Sequence, residues 1–119
     1  MEQRLRLLLD QQVIDQRVYD FSLRTVELMR EKGFSDPEME TFITHLCVSA
    51  MRICRNEPVQ CDAQHMREEL QEDAGDEICS QSLALWQQIE ALGDIHYCPE
   101  EQIFVLLHLC TMLGKKAND

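Results

Sequence analysis

No stretch of this sequence alternates β-branched and polar residues over the length that a half-buried strand needs. Glycine and proline are scarce, four and three in 119 residues, and most stand where a helix would stop or start. Apolar residues three and four apart recur throughout, so the expected fold class is all-α. No apolar run approaches the roughly 20 residues of a membrane span. The N-terminal Met1-Glu2-Gln3-Arg4-Leu5-Arg6 leads only into Leu7-Leu8-Leu9 before Asp10. No membrane partner and a soluble, cytoplasmic protein are therefore expected.

Positive charge is also short. Eleven Lys and Arg stand against 22 Asp and Glu, a formal charge of −11 with histidine neutral. Such a chain repels a phosphate backbone, and its basic residues form no stripe that would offset this, which excludes direct nucleic-acid binding. The hydrophobic share of 45% is enough for one core in a chain of this size, and excludes intrinsic disorder.

Motifs for small-molecule chemistry are missing. There is no Cys-x-x-Cys, no Gly-rich phosphate loop and no Gly-x-Ser-x-Gly. The six cysteines, Cys47, Cys54, Cys61, Cys79, Cys98 and Cys110, have no secretory segment ahead of them and are expected to be reduced. His45/Cys47 and His108/Cys110 are two apart on helices and diverge by roughly 200°, so neither pair chelates an ion. His96 and Cys98, with Cys61 and His65 four apart, are the alternative set of zinc ligands. A Cys-His nucleophilic pair has no local signature. No metal and no cofactor are expected. Trp86, Tyr19 and Tyr97 suit packing better than a ligand cage.

What is present is a succession of helices. Glu2 to about Gln12 is a short amphipathic segment with Leu5, Leu8 and Leu9 on one side, an arm over residues 1–14 before a domain over 15–119. Asp15 caps a helix that runs to Lys32, where Gly33 supplies the left-handed residue ending it. Ser35-Asp36-Pro37-Glu38 is a capping box with proline in the first turn, opening a helix to about Asn56. Asp62 or Ala63 to about Glu72 is a minor helix. The acidic residues around its end, Glu68, Glu69, Glu72, Asp73, Asp76 and Glu77, suit a solvated face. Another helix follows Gly75 and ends at Gly93, and Pro99 begins the last, expected to reach Leu113 with Gly114 as terminator and a polar Lys-Lys-Ala-Asn-Asp tail.

Two apolar helices are interrupted by histidine. Phe42-Ile43-Thr44-His45-Leu46-Cys47 and Val105-Leu106-Leu107-His108-Leu109-Cys110 form a small internal echo. At roughly 100° per residue, Met39, Ile43, Leu46, Ala50 and Ile53 share one side of the first helix and His45 points away, with Glu38, Thr41, Ser49 and Arg52. Arg52 lies two turns on, within reach of an anion carried by the imidazole. In the last helix Ile103, Leu106, Leu107, Cys110 and Leu113 mark the core side. His108 lies opposite, with Glu101 two turns before it and Thr111 one turn after. From that position Glu101 is suited to orient the ring and favour its protonated form. A surface histidine with no special role is the competing account.

The order Thr44-His45-Leu46 with Ala50 and Arg52, then about fifty residues, then Glu101-Gln102-Ile103-Phe104 leading to Leu107-His108-Leu109 resembles the phosphotransferase-system regulation domain (PRD) family. Ile89-Glu90-Ala91-Leu92-Gly93 is similar to that family's lead-in to its last helix, and the likeness covers about Asp15 to Leu113. The family commonly has Asp or Asn before the first histidine, where this chain has Thr44. The resemblance implies a five-helix bundle of antiparallel pairs, here with an extra short N-terminal helix, often dimeric. It also implies a non-enzymatic regulator of bacterial carbohydrate metabolism or transcription. His45 and His108 would accept phosphoryl groups from the histidine-containing phosphocarrier protein or a sugar-transport component, with Thr44, Arg52 and Glu101 in support. Nucleic-acid-binding domains of such regulators are separate, so a stand-alone copy would act through a regulator protein or as a homodimer. The alternative is an interaction module that never receives phosphate.

Overall fold

A computed structural model describes residues 1–117. It contains α1 (Glu2–Asp10), α2 (Gln16–Glu31), α3 (Asp36–Cys54), α4 (Ala63–Ala74), α5 (Asp76–Glu90) and α6 (Pro99–Ala117), and no strand among the described residues. The all-helical class read from the sequence is the observed one.

Local chemistry sets most helix starts. The Asp15 carboxylate accepts the Val18 N–H at 2.9 Å, satisfying one of the orphan donors of α2. Glu38 accepts from both the Ser35 N–H and hydroxyl, at 3.0 and 2.7 Å, in the capping box that opens α3. Asp62 caps α4 through the His65 N–H. Gly33, at φ 93°, takes the left-handed conformation that closes the end of α2.

Five ends differ from expectation; α4 runs to Ala74, two residues past Glu72. α1 stops at Asp10, because Gln12 turns left-handed (φ 61°) and the Val13 N–H folds back to the Leu8 carbonyl. α3 stops at Cys54, before Asn56 at φ 58°. α5 stops at Glu90, three residues before Gly93. Gly93 serves close approach instead: a Cβ there would sit 2.9 Å from Phe21 Cδ1. α6 passes through Gly114 to Ala117, so Lys115, Lys116 and Ala117 of the expected tail are helical, while Asn118 and Asp119 lie outside the described residues. Tertiary contacts offset the helical penalty of Gly114. Lys116 Nζ donates to the Gly33 carbonyl at 2.8 Å and lies 4.9 Å from the centre of the Phe34 ring, fastening the last turn of α6 to the α2–α3 corner.

One core joins the helices, with Trp86, Phe21, Phe42, Met39, Ile43, Leu46, Ile89 and Leu109 fully buried. Each such side chain contributes roughly 1.5–3 kcal/mol of transfer free energy. Of the expected apolar stripe of α3, Met39, Ile43, Leu46 and Ala50 are buried and Ile53 is half-buried. α6 packs on α3, α4 and α5, so one apolar side is not sufficient: Val105, Leu109 and Met112 are buried alongside Ile103, Leu106 and Cys110. α1 lies down on α2 rather than projecting. Leu5 is fully buried, Leu8 and Leu9 pack against the core, and Arg30 bridges Glu2 and Asp36.

All six acidic residues around the end of α4 are exposed. Trp86 and Tyr97 are core residues in edge-to-face contact at 4.8 Å, and Tyr19 packs half-buried against the same core. No helix among the described residues is long and apolar enough to cross a membrane.

Candidate functional site: a histidine pair beside a buried carboxylate clamp

His45 and His108, 63 residues apart in sequence, meet on the seam between α3 and α6. Their rings stack with centroids 4.1 Å apart and planes inclined by 16°. His45 is exposed and His108 half-buried. Among the described residues no protein hydrogen bond holds either ring. Their nitrogens are therefore left to solvent or to an incoming group. Burial lowers the pKa of His108, and the neighbouring His45 ring lowers it further, so the neutral form with a free lone pair is favoured. A protonated His108, the form that Glu101 was expected to favour, is the form that this environment opposes.

Glu101 does not reach the imidazole. It is fully buried in the first turn of α6, where the helix N-terminus favours a carboxylate. It accepts from the Ser49 hydroxyl at 2.6 Å, from Arg52 Nε and Nη2 at 2.8 Å each, and from the Val59 N–H at 2.7 Å. Burial pushes its pKa up, but the hydrogen bonds from Arg52, Ser49 and Val59 together outweigh this and the net shift is downward. Arg52 is correspondingly raised by its bond to Glu101. The arginine expected to wait for an anion on His45 is thus committed to Glu101 in a bidentate pair. Thr44 is also engaged elsewhere, its hydroxyl donating to the Glu40 carbonyl one turn back at 3.0 Å.

The two clusters follow from one geometry. Residue 45 meets 108 and residue 52 meets 101, so α3 and α6 run in opposite directions along this seam. Arg52 lies seven residues after one histidine and Glu101 seven before the other. When the histidines meet across opposed helices, the arginine and glutamate meet two turns away. That reciprocal spacing is visible in the sequence, but it becomes a contact only once the helices are known to face each other.

Beyond His108, in the other direction, a cavity of about 350 Å³ opens between the helices. It is lined by Pro37, Glu38, Thr41 and Phe42 of α3 and by His108, Thr111, Met112 and Lys115 of α6. Lys115 belongs to the polar Lys-Lys-Ala-Asn-Asp stretch, which the sequence pattern places beyond the end of α6. Its position seven residues after His108 is the signal that would have placed it on the histidine's side.

Among the described residues no three His, Cys, Asp or Glu side chains gather to hold a metal ion, so Cys61, His65, His96 and Cys98 form no such group. The cysteines carry free thiols, with Cys47 and Cys110 buried and bonded at 3.1 Å to the buried Ser22 and Ser82 hydroxyls, respectively. Comparison of the chain with protein-family models, with curated proteins and with solved structures finds no match in any of the three.

Proposed function

We propose that this chain is a regulatory domain resembling the phosphotransferase-system regulation domains of bacterial carbohydrate metabolism and transcription control, and that the His45–His108 pair is its site of reversible phosphorylation. The observation that carries the reading is the stacked pair itself: two imidazoles brought together from distant helices, accessible, and bound by no protein hydrogen bond among the described residues. Structural histidines in a helix seam are ordinarily anchored by a partner. These present unclaimed nitrogens instead.

His108 is the better acceptor, because its depressed pKa keeps a lone pair available near neutrality. The donor is a phosphohistidine of the phosphocarrier protein or of a sugar-transport component. The His108 nitrogen forms a new N–P bond as the donor's N–P bond breaks. The departing donor ring takes back its electron pair and a proton, and the acceptor ring gives one up at its other nitrogen. The chain is here a substrate of transfer, not an enzyme.

About two negative charges then arrive on a seam where two flat neutral rings had packed, which alters the fit of α3 against α6 and the surface offered to a partner. A five-helix arrangement of antiparallel pairs, homodimerisation and contact with a separate regulator protein belong to the same proposal.

Incubation of the full chain with phosphoenolpyruvate, the first transport enzyme and the phosphocarrier tests it. The expected product carries an acid-labile, alkali-stable phosphoryl label, reduced more by His108→Ala than by His45→Ala. A wild-type chain that takes up no label, yet retains its fold by circular dichroism, supports the alternative of an interaction module that never receives phosphate.

A further inference from the structure

The cavity beside His108 is polar at its rim and apolar at its floor. Spacings of three and four put His108, Thr111 and Lys115 on one face of α6. Thr41 and Glu38, one and two turns before His45, lie across from them on α3. Phe42 and Met112, both buried, form the floor. The space of about 350 Å³ accommodates a tetrahedral oxyanion with several waters, at roughly 30 Å³ each.

The charges at this rim are unevenly committed. The Glu38 carboxylate is held by Ser35 in the capping box, and Lys116 lies close enough to help keep its pKa low. Lys116 is itself fastened to the Gly33 carbonyl. Thr111 donates its hydroxyl proton to the Leu107 carbonyl at 3.0 Å. Lys115 remains: it is exposed, and it takes part in none of the ion pairs formed among the described residues. The Thr41 hydroxyl is exposed on the facing helix. The arginine that would otherwise neutralise a phosphate is bound to Glu101, on the far side of the histidines.

We infer that this groove seats the phosphoryl group carried by His108, with Lys115 as its countercharge and Thr41 as a hydroxyl donor. The inference rests on the proposed acceptor role of the histidine pair and specifies where the anion lies. The ligand chemistry is a phosphoryl dianion linked to a ring nitrogen.

Phosphoramidate, a small phosphoryl donor that needs no carrier protein, separates this inference from the identity of the physiological donor. The His108 nitrogen forms the N–P bond, the phosphoramidate N–P bond breaks, and ammonia leaves with the proton that the ring gives up. Labelling of the full chain near neutral pH, followed residue by residue by mass spectrometry, reads the rate at each histidine, with exposed His65 and His96 as internal references.

His108 is expected to label several-fold faster than either reference. Lys115→Gln should slow it by about fivefold, the effect of one unit charge near contact in a water-like medium. Lys115→Arg should restore it, and Thr41→Val should slow it by roughly twofold. Both substituted positions are exposed, so loss of fold does not confuse the result. A Lys115→Gln rate equal to wild type, or His65 labelling as fast as His108, overturns the groove. Failure of the phosphocarrier to label a chain in which phosphoramidate behaves as described overturns the proposed donor and leaves the groove standing.

Discussion

Two polar clusters interrupt the apolar seam between α3 and α6, two turns apart, and their chemistry differs in kind. In the Glu101 cluster every partner is present: a fully buried carboxylate receives Ser49, both arms of Arg52 and the Val59 N–H, which ties α3, α6 and the α3–α4 connection together. In the histidine cluster the rings stack on each other, and among the described residues no protein hydrogen bond holds either of them. Satisfied groups hold a fold together, because a buried carboxylate is tolerated only when it is paired. Unsatisfied groups at an accessible site are available for an external partner. The contrast suits the first cluster to stability and the second to the proposed phosphoryl chemistry.

The largest effect expected to test this division is on stability. Arg52→Ala leaves Glu101 buried without its countercharge and should lower the unfolding free energy by roughly 3–5 kcal/mol, read as a fall in urea midpoint at unchanged slope. A loss below about 1 kcal/mol would mean that the clamp is no more than a surface ion pair. Glu101→Gln keeps the shape but weakens the charge-assisted bonds, and a loss of roughly 2 kcal/mol is expected in the same assay. His45→Ala and His108→Ala should each stay within about 1 kcal/mol of wild type, since no hydrogen bond is removed. A greater loss at either histidine would erase the contrast.

A smaller effect sharpens the second half of the comparison. The pKa of His108 is lowered in the folded chain, so the folded state binds fewer protons there than the unfolded state does. The stability associated with it is complete above the ordinary histidine pKa of about 6.5 and declines as pH falls from that value through the folded-state pKa. Proton NMR of the imidazole carbons should show His108 titrating below 6.5, and His45→Ala should move it upward by removing the second cause of the shift. An unchanged His108 titration in that variant would show that the stacked rings do not sense each other's charge.

Much of the helix pattern was legible because its determinants are local. Asp15, Ser35, Glu38, Pro37 and Gly33 act within a turn of their own position, and the observed starts and stops are the ones they specify. The end of α6 was not legible, because the contacts that carry it past Gly114 come from Gly33 and Phe34, about eighty residues earlier. The site divides in the same way. That His45 and His108 are anomalous in apolar helices is a sequence fact. That they stack, and that Arg52 and Glu101 bind each other rather than the histidines, depends on the facing of two helices that no local signal specifies. Glu101 shares a helix with His108, but its partners lie across the seam on α3 and in the α3–α4 connection.

The division of labour between the two clusters is tested most directly by measuring phosphoryl label and urea stability together on His108→Ala and Glu101→Gln after incubation with the phosphocarrier system. The account predicts opposite outcomes: His108→Ala keeps its stability and loses most of the label, whereas Glu101→Gln loses stability and, at a temperature where it is folded, keeps the label. Label retained in full by His108→Ala, or lost from folded Glu101→Gln, would contradict it.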